Sequence, residues 1–95
     1  MNNHNYKLLK DDEHVSFSEF SLAITLICLG FKLDALNRND QTYRKIEFTF
    51  SKTGALEAAI TRYWNGDLLI EPKTFWNVSR ELKSRMRSAG AYATD

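Results

Sequence analysis

The stretch Tyr43-Arg44-Lys45-Ile46-Glu47-Phe48-Thr49-Phe50 places Ile46, Phe48 and Phe50 on one side of an extended chain. Lys45, Glu47 and Thr49 fall on the other. A period of two is that of a strand with one face on a core. Just before it, Asn37-Arg38-Asn39-Asp40 is dense in turn formers, and Phe31-Lys32-Leu33-Asp34-Ala35 alternates again. The two runs predict an antiparallel hairpin.

Outside the hairpin the period changes to that of helices. Phe20, Leu22, Ala23, Ile24, Leu26, Ile27 and Leu29 are apolar nearly all round, the pattern of a helix buried on most of its circumference. Ser18 is its expected cap, and Gly30 supplies a left-handed residue after its last turn. Ser18, Ser21, Thr25 and Cys28 interrupt the apolar pattern at spacings of three, four and three, as one narrow stripe of small residues. Such a stripe is either a thin edge in solvent or a seat for another helix.

Beyond the hairpin, Ser51-Lys52-Thr53 offers caps for a second helix with Leu56, Ala59, Ile60 and Tyr63 on one face, ended by Asn65-Gly66. Leu68-Leu69-Ile70 reads as a short edge strand or an extended link. Pro72 suits the first turn of a third helix, where its missing N–H needs no partner. That helix runs to Ser88, with Gly90 after it. The expectation is an α+β fold of order α-β-β-α-(short β)-α, with the hairpin packed on the helices. Residues 1–14 read as a flexible leader, 15–90 as a single domain and 91–95 as a frayed tail.

The whole chain has 95 residues, 43% of them apolar, enough for one core without disulfides. Thirteen Lys and Arg against twelve Asp and Glu leave a net charge of +1, which excludes a polyelectrolyte or a chain disordered throughout. One Cys cannot bridge internally, and two His do not make a structural zinc site. The first residues lack the apolar run of a secretory signal, and Leu22 to Phe31 is too short to span a membrane. A cytoplasmic location with Cys28 reduced is expected.

Several segments together resemble a family of small phage and bacterial proteins known only as a domain of unknown function. They are Phe20 with Leu22-Ala23, then Leu29-Gly30-Phe31, Phe48-Thr49-Phe50, and Tyr63-Trp64-Asn65-Gly66 leading to Glu71-Pro72-Lys73-Thr74-Phe75, and finally Leu82-Lys83. Glu71 departs from the pattern, where Asp is the expected residue before the proline. The resemblance implies a compact α+β domain, often phage-borne. It brings no catalytic residues, and it leaves the activity open.

No catalytic constellation is visible. Cys28 lies mid-helix between Ile27 and Leu29, the setting of an inert thiol. His4 and His14 fall in the leader, which cannot hold a general base. The acidic run Asp11-Asp12-Glu13 with His14 reads as solvated charge, with no second cluster to complete a metal site. The glycines are far apart and form no phosphate-cradling loop. The expectation is a protein without enzymatic activity, cofactor or metal.

The third helix is distinctive. Phe75, Val78, Leu82 and Met86 form an apolar stripe, while Lys73, Trp76, Arg80, Lys83 and Arg87 fall within an arc of about 80° beside it. Five basic residues against Glu81 give the segment from Lys73 to Ser88 a charge of +4, leaving −3 for the rest. Such a face either follows phosphates, with Trp76 stacking on a base, or simply opposes the helix dipole with Trp76 covered by Arg80 and Lys83 stems. Two functions compete. The first is a protein-interaction module, with self-association as a homodimer one form of it, using Ser18, Ser21, Thr25, Cys28 and Trp64, with Tyr63, Leu36 and Trp76 as further surplus apolar surface. The alternative is a nucleic-acid binder using Lys73, Trp76, Arg80, Lys83 and Arg87 with Arg38 and Arg44 of the hairpin. The residues favour the first by a small margin.

Overall fold

A computed structural model of the chain describes residues 9–10, 13–38 and 46–88. The elements in chain order are β1 (Leu9–Lys10), β2 (His14–Phe17), α1 (Phe20–Cys28), β3 (Leu33–Arg38), β4 (Ile46–Ser51), α2 (Gly54–Asn65) and α3 (Pro72–Ser88). The strands form one sheet in the order β1-β2-β4-β3, antiparallel at every pairing. The α+β class and the β3–β4 hairpin are as the sequence predicts.

Facing residues of paired strands share one side of a sheet. Val15 lies opposite Phe50, Phe17 opposite Phe48, and Leu33 also opposite Phe50. All five are buried, together with Ile46, against Leu22, Ala23, Ile24 and Leu26 of α1, Leu56, Ala59 and Ile60 of α2, and Leu82 and Met86 of α3. The result is two layers, a sheet and three helices, around one core. Its centre is aromatic: Phe17 stacks on Phe50 at 5.7 Å between centroids, and Phe48 lies 6.2 Å from Phe17 and 6.3 Å from Phe20. On the other face Ser16 and Thr49 share a hydroxyl hydrogen bond of 2.8 Å.

Three expectations are corrected. Order does not begin at residue 15: β2 starts at His14 and lies between β1 and β4 inside the sheet, and the Glu13 carbonyl accepts a hydrogen bond from the Lys52 amide at 2.8 Å. The reading of residues 1–14 as a leader therefore fails at its last positions. Four residues of alternation are too few to register, and the hydrogen bonds that order them come from β4, far along the chain. Leu68-Leu69-Ile70 is not a strand but an extended link between α2 and α3. The alternation in β3 also breaks. Leu33 faces Phe50 but Ala35 faces Thr49, so Asp34 is an extra residue, a bulge. The frame shift turns Leu36 towards the core opposite Phe48 and removes it from the surplus apolar surface.

The helix ends follow local chemistry. The Thr53 hydroxyl accepts from the Leu56 amide at 3.0 Å, capping α2. At its other end Gly66 adopts φ 76°, and the amides of Gly66 and Asp67 reach back to the carbonyls of Tyr63 and Arg62. Replacing Thr53 with Ala removes the acceptor, so a loss of about 1 kcal/mol and a fall in Tm of about 4–8 °C are expected in a thermal melt. Ser18, by contrast, lies ahead of α1: Glu19 occupies the cap position and makes no side-chain cap bond.

Candidate functional site

The Leu68–Ile70 link delivers the chain to α3 through Glu71 and Pro72. The Glu71 carboxylate accepts from the amides of Lys73 and Thr74, at 3.0 and 2.8 Å, and from the Thr74 hydroxyl at 2.8 Å. Glu71 thus caps α3 in the place where Asp was expected. These hydrogen bonds, the one from the Thr74 side chain foremost, hold its carboxyl below the ordinary value of 4.5. A lowered folded-state pKa means stability that is complete above the ordinary value and lost as pH falls through the lowered one. Thermal melts of the parent are therefore expected to lose stability on acidification across this window more steeply than those of Glu71→Gln. Identical acid limbs for the two would contradict the cap.

The two sides of α3 are cleanly divided. Leu82 and Met86 are buried with Ser79, while Phe75 and Val78 are half-buried against the same core. Lys73, Arg80, Lys83 and Arg87 are exposed, and so is the Trp76 ring, at 59%. Lys83 holds its ammonium 5.9 Å from the centroid of Phe20, tying the margin of this face to α1. The Trp76 ring is therefore not sheltered by its basic neighbours. Among the described residues, no carboxylate forms an ion pair with Lys73, Arg80, Lys83 or Arg87. Only Arg85 and Arg87 lie in the last turn of α3. The helix dipole acts over that turn, so it does not account for Lys73, Arg80 and Lys83.

The other predicted surface is only partly exposed: Ser18 is exposed, Ser21, Cys28 and Trp64 are half-buried, and Thr25 is buried. Thr25 is only 5% exposed and returns its hydroxyl to the Ser21 carbonyl at 2.8 Å. The Ser21 hydroxyl bonds the Tyr63 phenol of α2 and lies 3.3 Å from a Glu19 carboxylate oxygen. Burial pushes the Tyr63 phenol up, and the Glu19 charge adds to the effect. Ser21 is thus part of the seat of α2 on α1, and Thr25 is closed off within α1. Cys28 is half-buried, with its thiol raised by burial, and Ser18 lies outside the helix. Trp64 is also half-buried on the core, its ring edge-on to Tyr63 at 4.8 Å. Arg38 closes β3 opposite Ile46, and Arg44 lies outside the described residues. Two exposed large apolar residues among those described lie outside the predicted surfaces: Leu29, at 40% exposure just after α1, and Leu69, at 95%, between half-buried Leu68 and Ile70. Alternation in an extended link is the signal that could have found Leu69.

His14 belongs to β2 rather than to a leader, with Ser51 opposite it. Ser51 donates its single hydroxyl proton to Asp34, so it is not poised to give that proton to an imidazole base. Among the described residues, no group of three or more His, Cys, Asp or Glu could hold a metal ion. No helix among them is long and apolar enough to cross a membrane.

The model of a protein family described as a domain of unknown function, DUF5659, matches residues 12–88. The chain belongs to this family. The match takes in β2 through the end of α3, so the core and the basic face both fall inside the DUF5659 domain. No curated protein and no solved structure matches the chain.

Proposed function

We propose that this DUF5659 domain is a nucleic-acid-binding module working through the outward face of α3. The observation that carries this reading is an exposed Trp76 ring on the same face as Lys73, Arg80, Lys83 and Arg87, none of them ion-paired to a carboxylate among the described residues. Cations at one-turn intervals neutralise successive phosphates, and the counterions they release drive association. The preference for a protein partner drawn from the sequence loses its main support. Leu36, Tyr63 and Trp64 pack on the core, Ser21 is bonded to Tyr63 across the α1–α2 contact, and Thr25 is buried with its hydroxyl returned to its own helix. Besides the separate Leu29 and Leu69, the large apolar side chain left outside among the described residues is an aromatic ring among positive charges, a surface that suits a polyanion better than an apolar partner.

Fluorescence anisotropy with labelled DNA and RNA, repeated over a range of salt, tests the proposal. With four phosphates engaged on a single strand, log Kobs is expected to fall against log salt with a slope of about −3. Absence of binding at low salt to every single- and double-stranded nucleic acid overturns it.

A further inference from the structure

We infer that this face selects single-stranded over duplex nucleic acid, with the Trp76 ring as the stacking platform for an unpaired base. The inference rests on the proposed function and names the class of ligand within it. Lys73 precedes Trp76 by three residues and Arg80 follows it by four, so each cation is one helical turn away along the same side. The ring is thus flanked by phosphate partners on both sides. An indole carries a flat π face on which a base can stack. In a duplex, base faces are covered by their stacked neighbours; in a single strand they are available.

The setting of α3 points the same way. A helix reads a duplex by entering the major groove, which is about as wide as the helix with its side chains, so elements that flank its outward face limit how deeply it enters. Here α3 lies against α1, and Lys83, from the basic face itself, sits over the Phe20 ring of that neighbour. The face is thus flanked by α1 along one margin. From Lys73 to Arg87 it extends about 21 Å along the axis, at about 1.5 Å per residue. That is room for a few nucleotides, towards the low end of the range for single-strand binders.

The test titrates the full chain with a short oligothymidylate and with a mixed-sequence duplex of equal length, at low salt, following both anisotropy and tryptophan emission. The strand is expected to bind about tenfold more tightly than the duplex and to quench the exposed indole. Trp76→Ala is expected to lose about tenfold in strand affinity, to lose clearly less on the duplex, and to leave Tm unchanged. Trp76→Phe retains most of the preference, because a smaller ring still stacks, but abolishes the quenching. Equal or tighter duplex binding, or strand affinity indifferent to Trp76→Ala, overturns the inference. In those cases a normal salt slope leaves the phosphate-binding proposal standing. Failure of both ligands to bind overturns the two together.

Discussion

Arg80→Glu and Arg87→Glu, introduced together, are expected to weaken single-stranded DNA binding by on the order of 50-fold or more at about 50 mM salt. Each phosphate contact on a single strand contributes about 0.7 to the salt exponent, which is worth about eightfold at that concentration. Losing two contacts gives the factor stated, and the new negative charges add repulsion. The salt slope is expected to halve, from about −3 to about −1.4. The fold should survive. Both arginines are exposed, and the core is held by Phe75, Val78, Leu82 and Met86 on a different side of α3. Arg87 lies in the last turn, so its reversal costs up to about 1 kcal/mol against the helix dipole. The conservative double variant, Arg80→Lys with Arg87→Lys, keeps the charge and is expected to keep most of the binding. A charge-reversed chain that binds like its parent, with an unchanged slope, rules this face out as the contact surface.

The second large effect is on stability. Phe48→Ala is expected to cost about 3–5 kcal/mol, a substantial share of the total for a domain of this size. Phe48 is 1% exposed and lies between Phe17 on β2 and Phe20 at the start of α1. Removing its ring leaves a cavity where the sheet meets the first helix, and its rigid aromatic neighbours cannot collapse into it. At about 4–8 °C per kcal/mol, the Tm should fall by roughly 15–30 °C. Phe48→Leu refills part of the space and should recover a good part of the loss. A thermal melt in which Phe48→Ala stays close to the parent would show that Phe48 is not at the centre of the core.

Features set by neighbours in sequence were legible in it. Thr53, Gly66 and Pro72 each act through backbone groups within a few residues, so the bounds of α2 and α3 followed from local chemistry. The alternation of Ile46, Phe48 and Phe50 survives because β4 is interior and one of its faces is entirely core. Features set at a distance were not legible. β2 exists because β4 receives it, and its own four residues carry too little pattern. No periodicity announces an inserted residue such as Asp34, so the inward turn of Leu36 was hidden. The small-residue stripe was visible, yet its partner Tyr63 lies forty-two positions away and could not be assigned.

The candidate site divides along the same line. The basic arc of α3 is a property of one helix and was readable as such. Whether intramolecular groups had already claimed its cations and its ring depended on the tertiary arrangement. Lys83 reaches Phe20, while Trp76 keeps its ring in solvent.

The inserted residue at Asp34 also bears on how copies of this molecule can meet. Within the described sheet, one rim is the two-residue β1 and the other is β3, where Asp34 breaks the regular spacing of outward amides and carbonyls. Along β3 a neighbouring copy meets a rim whose hydrogen-bonding spacing is interrupted at Asp34. Such a bulge discourages edge-to-edge strand addition along β3.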